Sequence, residues 1–221
     1  MEINNNVFET FEGGIRQYLA QMQLYDAAIK EVKTKLEILD NEFSIKYDHN
    51  PIHNILSRLK SPLSIMQKLK RRDLPLNLES LKTGMNDIAG IRVICNYLDD
   101  IYHIADLLTG QDDVKLLLRR DYIKHPKESG YRSLHLVVEI PVCLAERVEH
   151  VKCEVQIRTI AMDFWASLEH QLKYKRSTDV SEELRNRLKI CADAITEVDV
   201  EMQEIHKDIQ KDVQKERTDG E

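Results

Sequence analysis

A chain of 221 residues, 42% of them hydrophobic, is long enough for one domain of ordinary size with helical extensions and a substantial core. Its net charge of -6 excludes a protein whose whole surface grips nucleic acid, while leaving room for a local basic pocket. No apolar run reaches the roughly 18 residues of a membrane span, and the start Met-Glu-Ile-Asn-Asn-Asn lacks the basic-then-apolar pattern of a signal peptide, so a cytoplasmic location and no membrane partner are expected.

In chain order, Ile15, Tyr18, Met22, Tyr25, Ile29, Val32, Leu36, Leu39 and Phe43 recur in steps of three and four, which predicts one long amphipathic helix. Ser61-Pro62 pairs a good N-cap with proline at the first helical position, so a second helix is expected to run from there to about residue 72. Arg58 and Lys60 stand just ahead of its N-terminus, and Ser64 and Lys68 share one face of its first two turns. This arrangement suits either phosphates or a solvated basic helix start. Residues 88–97, I-A-G-I-R-V-I-C-N-Y, read as a mostly buried strand with Asp87 at its start and Arg92 inside it, where an arginine needs a partner. A short amphipathic helix is expected at 98–109, and further strands at 114–122 and 133–140.

The stretch 121–135, D-Y-I-K-H-P-K-E-S-G-Y-R-S-L-H, gathers Lys127, Tyr131, Arg132 and His135 within nine positions. At 150–158, Val151, Cys153, Val155 and Ile157 alternate with His150, Lys152, Glu154, Gln156 and Arg158, which is the period of a strand. Its polar face is either the solvent side of an antiparallel sheet or the floor of a site offering a metal ligand, an amide and an anion clamp. A helix follows at 160–174, with Phe164 and Trp165 expected to pack inward. A last helix carries the stripe Leu184, Leu188, Cys191, Ile195, Val198, Met202, Ile205, Ile209 and Val213, after which the polar tail Lys-Glu-Arg-Thr-Asp-Gly-Glu is expected to fray. The two terminal stripes either pack on each other or build an oligomer. Cys95, Cys143, Cys153 and Cys191 show no C-x-x-C spacing and read as reduced core thiols.

Two carboxylates on strands, Asp87 and Glu154, therefore sit among many cations aimed from turns and helix starts. Neither G-x-x-x-x-G-K-[ST] nor G-x-G-x-x-G occurs, so side chains must hold the phosphates of any nucleotide. Carboxylates fixing Mg²⁺ against an array of Arg and Lys suit phosphoryl chemistry, where the protein aligns groups and neutralises charge. At this level hydrolysis of a phosphate ester and transfer to a hydroxyl fit equally.

The ordered segments R-L-K-S-P-L-S-I-M-Q-K from Arg58, N-D-I-A-G-I-R-V-I from Asn86, the stretch from Asp121, E-V-Q-I-R-T from Glu154 and E-H-x-x-x-Y-K from Glu169 resemble the synthetase domain of the stringent-response RelA/SpoT superfamily. The chain looks like the stand-alone small alarmone synthetases, and R-V-E-H-V-K-C-E-V-Q-I-R-T-I-A-M-D-F-W-A-S-L-E-H looks closer to their RelP branch than to RelQ. The resemblance implies an α/β (α+β) fold. A mixed-sheet, nucleotidyltransferase-like synthetase domain at 49–176 would be flanked by a helix at 1–48 and by a helix with a polar tail at 177–221.

It also implies a reaction: the β,γ-pyrophosphate of ATP moves to the 3′-hydroxyl of GDP or GTP, giving ppGpp or pppGpp and AMP. By match of motif Arg58 and Arg92 would sandwich the adenine, and Lys60, Ser64 and Lys68 would hold the ATP phosphates. Asp87 and Glu154 would bind Mg²⁺, with Glu154 also taking the proton of the 3′-hydroxyl. Tyr131 would stack on guanine, Lys127 and His135 would meet the acceptor's phosphates, and Gly130 would let the turn bring them together. Gln156 and Arg158 would support the acceptor side and the developing charge. Asp163 and His170 carry over as secondary matches.

The resemblance further implies a homotetramer built through the terminal helices. Ser129 stands where many members have Asn, and H-N-I-L-S ahead of Arg58 lacks the Phe and Thr of RelQ-type members, so activation by product between subunits is not expected. No His is followed by Asp, so synthesis without hydrolysis is expected. A different class is a catalytically quiet regulator that binds guanine nucleotides or single-stranded RNA in the same cationic pocket, although such a binder has no need of Asp87 and Glu154. A third is a nucleotidyltransferase releasing pyrophosphate in place of AMP.

Overall fold

The β-branched runs and the alternating segment become five strands in the computed structural model of the chain, which describes residues 2–174 and 181–219. They are β1 (Ile52–Leu59), β2 (Ala89–Cys95), β3 (Lys115–Asp121), β4 (Leu134–Cys143) and β5 (Val148–Thr159), in the sheet order β1-β2-β5-β4-β3. Only the central pair β2–β5 is parallel among these strands; the other pairings are antiparallel. This mixed sheet carries the helices α1 (Glu2–Lys46), α2 (Pro62–Arg71), α3 (Leu78–Gly84), α4 (Leu98–Thr109), α5 (Ile160–Tyr174) and α6 (Glu182–Asp219).

One sheet face is the core. Ile91 and Val93 of β2, Val155 and Ile157 of β5 and Leu134, Leu136 and Val138 of β4 are buried there against Ile101, Ile104 and Leu108 of α4. The stripe of α1 completes that layer: Tyr25, Ile29, Val32 and Leu36 are buried, with Tyr18, Met22, Leu39 and Phe43 packed beside them. The first stripe is thus spent on the sheet and not on the second stripe, because a mixed sheet needs an apolar cover on its core face. Ile15, nearer the N-terminus, is exposed.

The second stripe behaves differently. Of its members Leu188 and Ile195 turn inward beside Ala192, whereas Cys191, Val198, Met202, Ile205, Ile209 and Val213 are exposed. The inner face of α6 is largely polar. Asp199 accepts a hydrogen bond from Thr159 (2.7 Å), Gln203 accepts one from the Asp99 amide in the first turn of α4 (2.9 Å), and His206 stacks on Tyr97 at 3.9 Å between ring centres. The docked line, 188-192-195-199-203-206, keeps the helical spacing but is rotated off the heptad. Polar partners at the start of α4, where Asp99 N is an orphan donor, and at Thr159, the last residue of β5, decide it. Helix α6 continues to Asp219, through most of the tail expected to fray; Gly220 and Glu221 lie outside the described residues.

Two further expectations are corrected. Trp165 is buried at 6% exposure and donates to the Leu188 carbonyl (3.0 Å), but Phe164 is 59% exposed. Neighbours on a helix point about 100° apart, so one inward face cannot take both. Cys95 and Cys153 are buried free thiols, and burial pushes the Cys153 thiol up to about 12; Cys143 and Cys191 are free and exposed. Helix α3, capped by Asn77 accepting from Ser80 N at 2.8 Å, was legible only as that Asn before a short Leu-rich run.

Candidate active site

The other face of the sheet is polar, and the strand register builds it in rows. Arg58, Gly90 and Glu154 lie side by side across β1, β2 and β5, and Arg92, Gln156 and His135 lie side by side one step on across β2, β5 and β4. Arg158 follows in the next row. Paired residues share a face and every second residue returns to it, so the alternation along β5 places Glu154, Gln156 and Arg158 on one floor. Of the two readings left open for that face, the site floor is the one that fits Glu154 and Gln156, which line a cavity.

A cavity of about 450 Å³ opens above the first two rows, lined among others by Arg58, Lys60, Asp87, Arg92, Glu154 and Gln156. Gly90 also lines it, and a Cβ there would stand 3.4 Å from the Arg58 carbonyl oxygen. At its edge the Lys60 amide continues the β1–β2 pairing by donating to the Ile88 carbonyl (2.9 Å). This sets the Lys60 ammonium 2.9 Å from Asp87 Oδ2, and Lys68, from the second turn of α2, reaches the same oxygen at 2.6 Å. Helix α2 starts as expected: Ser61 caps it, accepting from Ser64 N at 3.3 Å. The Ser64 hydroxyl accepts from Ser61 Oγ (2.9 Å), and Ser64 lies outside the cavity lining.

Burial works to raise both carboxylates, but the bonds and charges of Lys68 and Lys60 hold Asp87 below its usual value. Burial likewise opposes His135 and Gln156, which together hold Glu154 below its own. Both are therefore ionised near neutrality. Asp87 Oδ1 is buried without a hydrogen-bond partner, while Glu154 lines the same cavity and is close enough to feel the Asp87 charge. Among the described residues no three His, Cys, Asp or Glu side chains form a closed metal cage. A pair of carboxylates with one orphaned oxygen nevertheless fits Mg²⁺, which takes one or two carboxylates and completes its octahedron with water and phosphate oxygens.

Beside the cavity lies a second cluster built by the 121–135 stretch. Asp121 Oδ1 accepts from the amides of Ile123 and Lys124, both at 3.0 Å, and Arg132 donates to the Ile123 carbonyl (3.1 Å). Gly130 has φ +85°, a conformation glycine adopts at no steric cost, and a Cβ there would fall 2.4 Å from the Ala192 Cβ of α6. The turn brings the Lys127 ammonium to 4.6 Å from the Tyr131 ring centre and 4.5 Å from that of Tyr122. The Tyr131 hydroxyl meets His135 Nε2 (2.8 Å) and accepts from Arg158 (2.5 Å).

The two clusters are joined. Gln156 donates to Glu154 (2.9 Å) and accepts from Arg158 (2.8 Å), and His135 Nδ1 lies 3.6 Å from Glu154 Oε1. Arg92 finds the partner its position demanded in Asp163 of α5, at 3.1 Å, and the same carboxylate oxygen takes Arg158 at 3.1 Å. Every candidate residue except Ser64 and the secondary match His170 thus lies in one of two adjoining clusters. The role of Asp163 was not legible, since its partners come from strands that precede it by 5 and by 71 positions. Only the family resemblance pointed to it, as a secondary match without a stated role. His170, on α5, is exposed.

Residues 57–179 match the family described as a region found in RelA / SpoT proteins. Among curated proteins, GTP pyrophosphokinase YwaC of Bacillus subtilis is 43% identical over 189 residues, which cover 86% of this chain and 90% of that one. GTP pyrophosphokinase YjbM of the same organism is 40% identical over 186 residues, covering 84% and 87%. The crystal structure of the small alarmone synthetase 1 from Bacillus subtilis bound to its product pppGpp matches with a TM-score of 0.82 at 39% identity, over 88% of this chain and 99% of that one. The small alarmone synthetase 2 from that organism matches with a TM-score of 0.78 at 42% identity, over 86% and 98%.

Proposed function

The chain belongs to the RelA/SpoT family, and from that premise we propose that it is a GTP pyrophosphokinase of the small alarmone synthetase type, moving the β,γ-pyrophosphate of ATP to the 3′-hydroxyl of GDP or GTP. The observation that carries the reading is the pair Asp87 and Glu154 in a cavity edged by Lys60, Arg58 and Arg92, directly beside a turn presenting Lys127 and Tyr131 and beside His135 of β4. Arg58 and Arg92 take the adenine between their guanidinium planes, and Lys60, Lys68 and Ser64 hold the triphosphate at the start of α2. Tyr131 stacks on guanine, while Lys127 and His135 meet the acceptor's phosphates.

The 3′-oxygen attacks the β-phosphorus, its proton passes to Glu154, and the bond between the α,β-bridging oxygen and the β-phosphorus breaks, so that AMP leaves with that oxygen. Gln156 and Arg158 stabilise the charge that develops on the transferring group. Mg²⁺ held by Asp87 and Glu154 neutralises and aligns the phosphates when bound. The protein is cytoplasmic, a homotetramer and a synthetase without hydrolase activity in this reading. No described helix is long and apolar enough to cross a membrane.

The test is to incubate pure protein with Mg²⁺, labelled ATP and GDP or GTP and to separate the nucleotides by anion exchange. A guanosine product with two added phosphates, formed with AMP in equal amounts and lost in Glu154→Gln while nucleotide binding persists, is expected. Pyrophosphate in place of AMP would indicate nucleotidyl transfer. Tight guanine-nucleotide or RNA binding without turnover would make the protein a regulator, and manganese-dependent breakdown of ppGpp would contradict synthesis alone.

A further inference from the structure

We propose that Asp163 is a positioning residue that ties the two nucleotide subsites together, by holding Arg92 of the ATP side and Arg158 of the acceptor side on one carboxylate oxygen. Both guanidinium groups lie 3.1 Å from Asp163 Oδ1. They differ in what else holds them. Arg158 is 5% exposed in its side chain and also donates to Ser133 Oγ (3.4 Å), Gln156 (2.8 Å) and the Tyr131 hydroxyl (2.5 Å). Arg92 is 36% exposed, its Nε is buried with no hydrogen-bond partner, and Asp163 is its carboxylate.

Two guanidinium groups this close repel each other, and the carboxylate oxygen that both of them reach offsets that repulsion. Burial first, and then the charge of Arg158, pull the Arg92 guanidinium below its usual value, while Asp163 pushes it back up. The carboxylate is itself held rigidly. It projects from the first turn of α5, which follows β5 without a loop, and Thr159 at that junction accepts from Met162 N (3.1 Å) while donating to Asp199 of α6 (2.7 Å). A shift of Asp163 therefore moves groups in both subsites, and a shift of either arginine is felt by the other.

The inference rests on the pyrophosphokinase reading, so wild-type turnover is the control for that reading. In steady-state kinetics Asp163→Asn, which keeps shape and removes the charge, is expected to raise KM for ATP and for the guanine nucleotide by about tenfold each, with a smaller fall in kcat. Asp163→Glu, which restores the charge, should bring both values part of the way back. In an Arg92→Gln background Asp163→Asn should no longer change KM for ATP but should still raise that of the acceptor, the non-additivity expected of a shared partner.

Unchanged KM values in Asp163→Asn, a change in one alone, or additive effects in the Arg92→Gln background would overturn the tie. If Asp163→Asn does not fold, the double variant with Arg92→Gln, which removes one of the two repelling cations, carries the acceptor-side test by itself. If the wild type makes no guanosine product, the functional reading fails, and dissociation constants for ATP and GTP judge the tie by the same criteria.

Discussion

Tyr131 shows how one side chain can be asked for two things. Its ring is offered to Lys127, and its hydroxyl accepts from Arg158 at 2.5 Å while bonding His135 at 2.8 Å. Tyr131→Phe keeps the ring and removes the link, so guanine-nucleotide affinity should change by less than about twofold while kcat falls roughly tenfold, the scale of one hydrogen bond to a charged group. A fall in affinity equal to the fall in rate would mean that the hydroxyl binds the nucleotide instead of holding Arg158. Most of these residue identities were legible in order and spacing. Their partners were not, because Tyr131 meets Arg158 and Arg92 meets Asp163 only when segments far apart in the chain become neighbours.

Among the elements, α6 does more than cover a surface: it docks through Asp199 and Gln203 and leaves no room for a side chain at Gly130. Gly130→Ala would add left-handed strain of about 1–2 kcal/mol, as well as a collision with Ala192. It is expected to lower the melting temperature and raise KM for the guanine nucleotide by loosening the Lys127–Tyr131 turn; a wild-type melt would show that α6 yields there. Burial raises the Asp199 carboxyl above its usual value, against the Thr159 bond and the Arg132 charge. A carboxyl raised in the folded state favours folding at low pH, and that contribution fades as pH climbs from the ordinary carboxylate value through the raised one. Asp199→Asn keeps an acceptor for Thr159 without a charge, so it should melt above the wild type at pH 7, with the gap closing toward about pH 4. Equal melting temperatures at pH 7 would count against this account. Heptad spacing revealed that α6 exists, but polar contacts to the start of α4 and to Thr159 of β5 chose which face it docks.

On the scale of the whole molecule, α1 is consumed by the sheet, and α6 presents Val198, Met202, Ile205, Ile209 and Val213 outward. An apolar row of this length on one helix is the kind of surface that association covers, which supports the homotetramer proposed above. Light scattering at micromolar concentration should give a mass near four chains. Met202→Glu combined with Ile209→Glu should reduce it, because charges on that row cannot be buried without partners. A tetramer unaffected by both charges would place the contact elsewhere.

The linear order of motifs was enough by itself to identify the family, the mixed α/β class, the long terminal helices and nearly every candidate residue. Those properties follow from local periodicity, caps and the spacing of chemically specific groups, all of which a chain carries before it folds. The parallel pairing of β2 with β5, the sharing of Asp163 by Arg92 and Arg158, the outward turn of Phe164 and the polar docking face of α6 were decided only in three dimensions. Each depends on which distant segment becomes the neighbour, and hydrogen bonds, burial and like-charge repulsion between segments far apart in sequence set that choice.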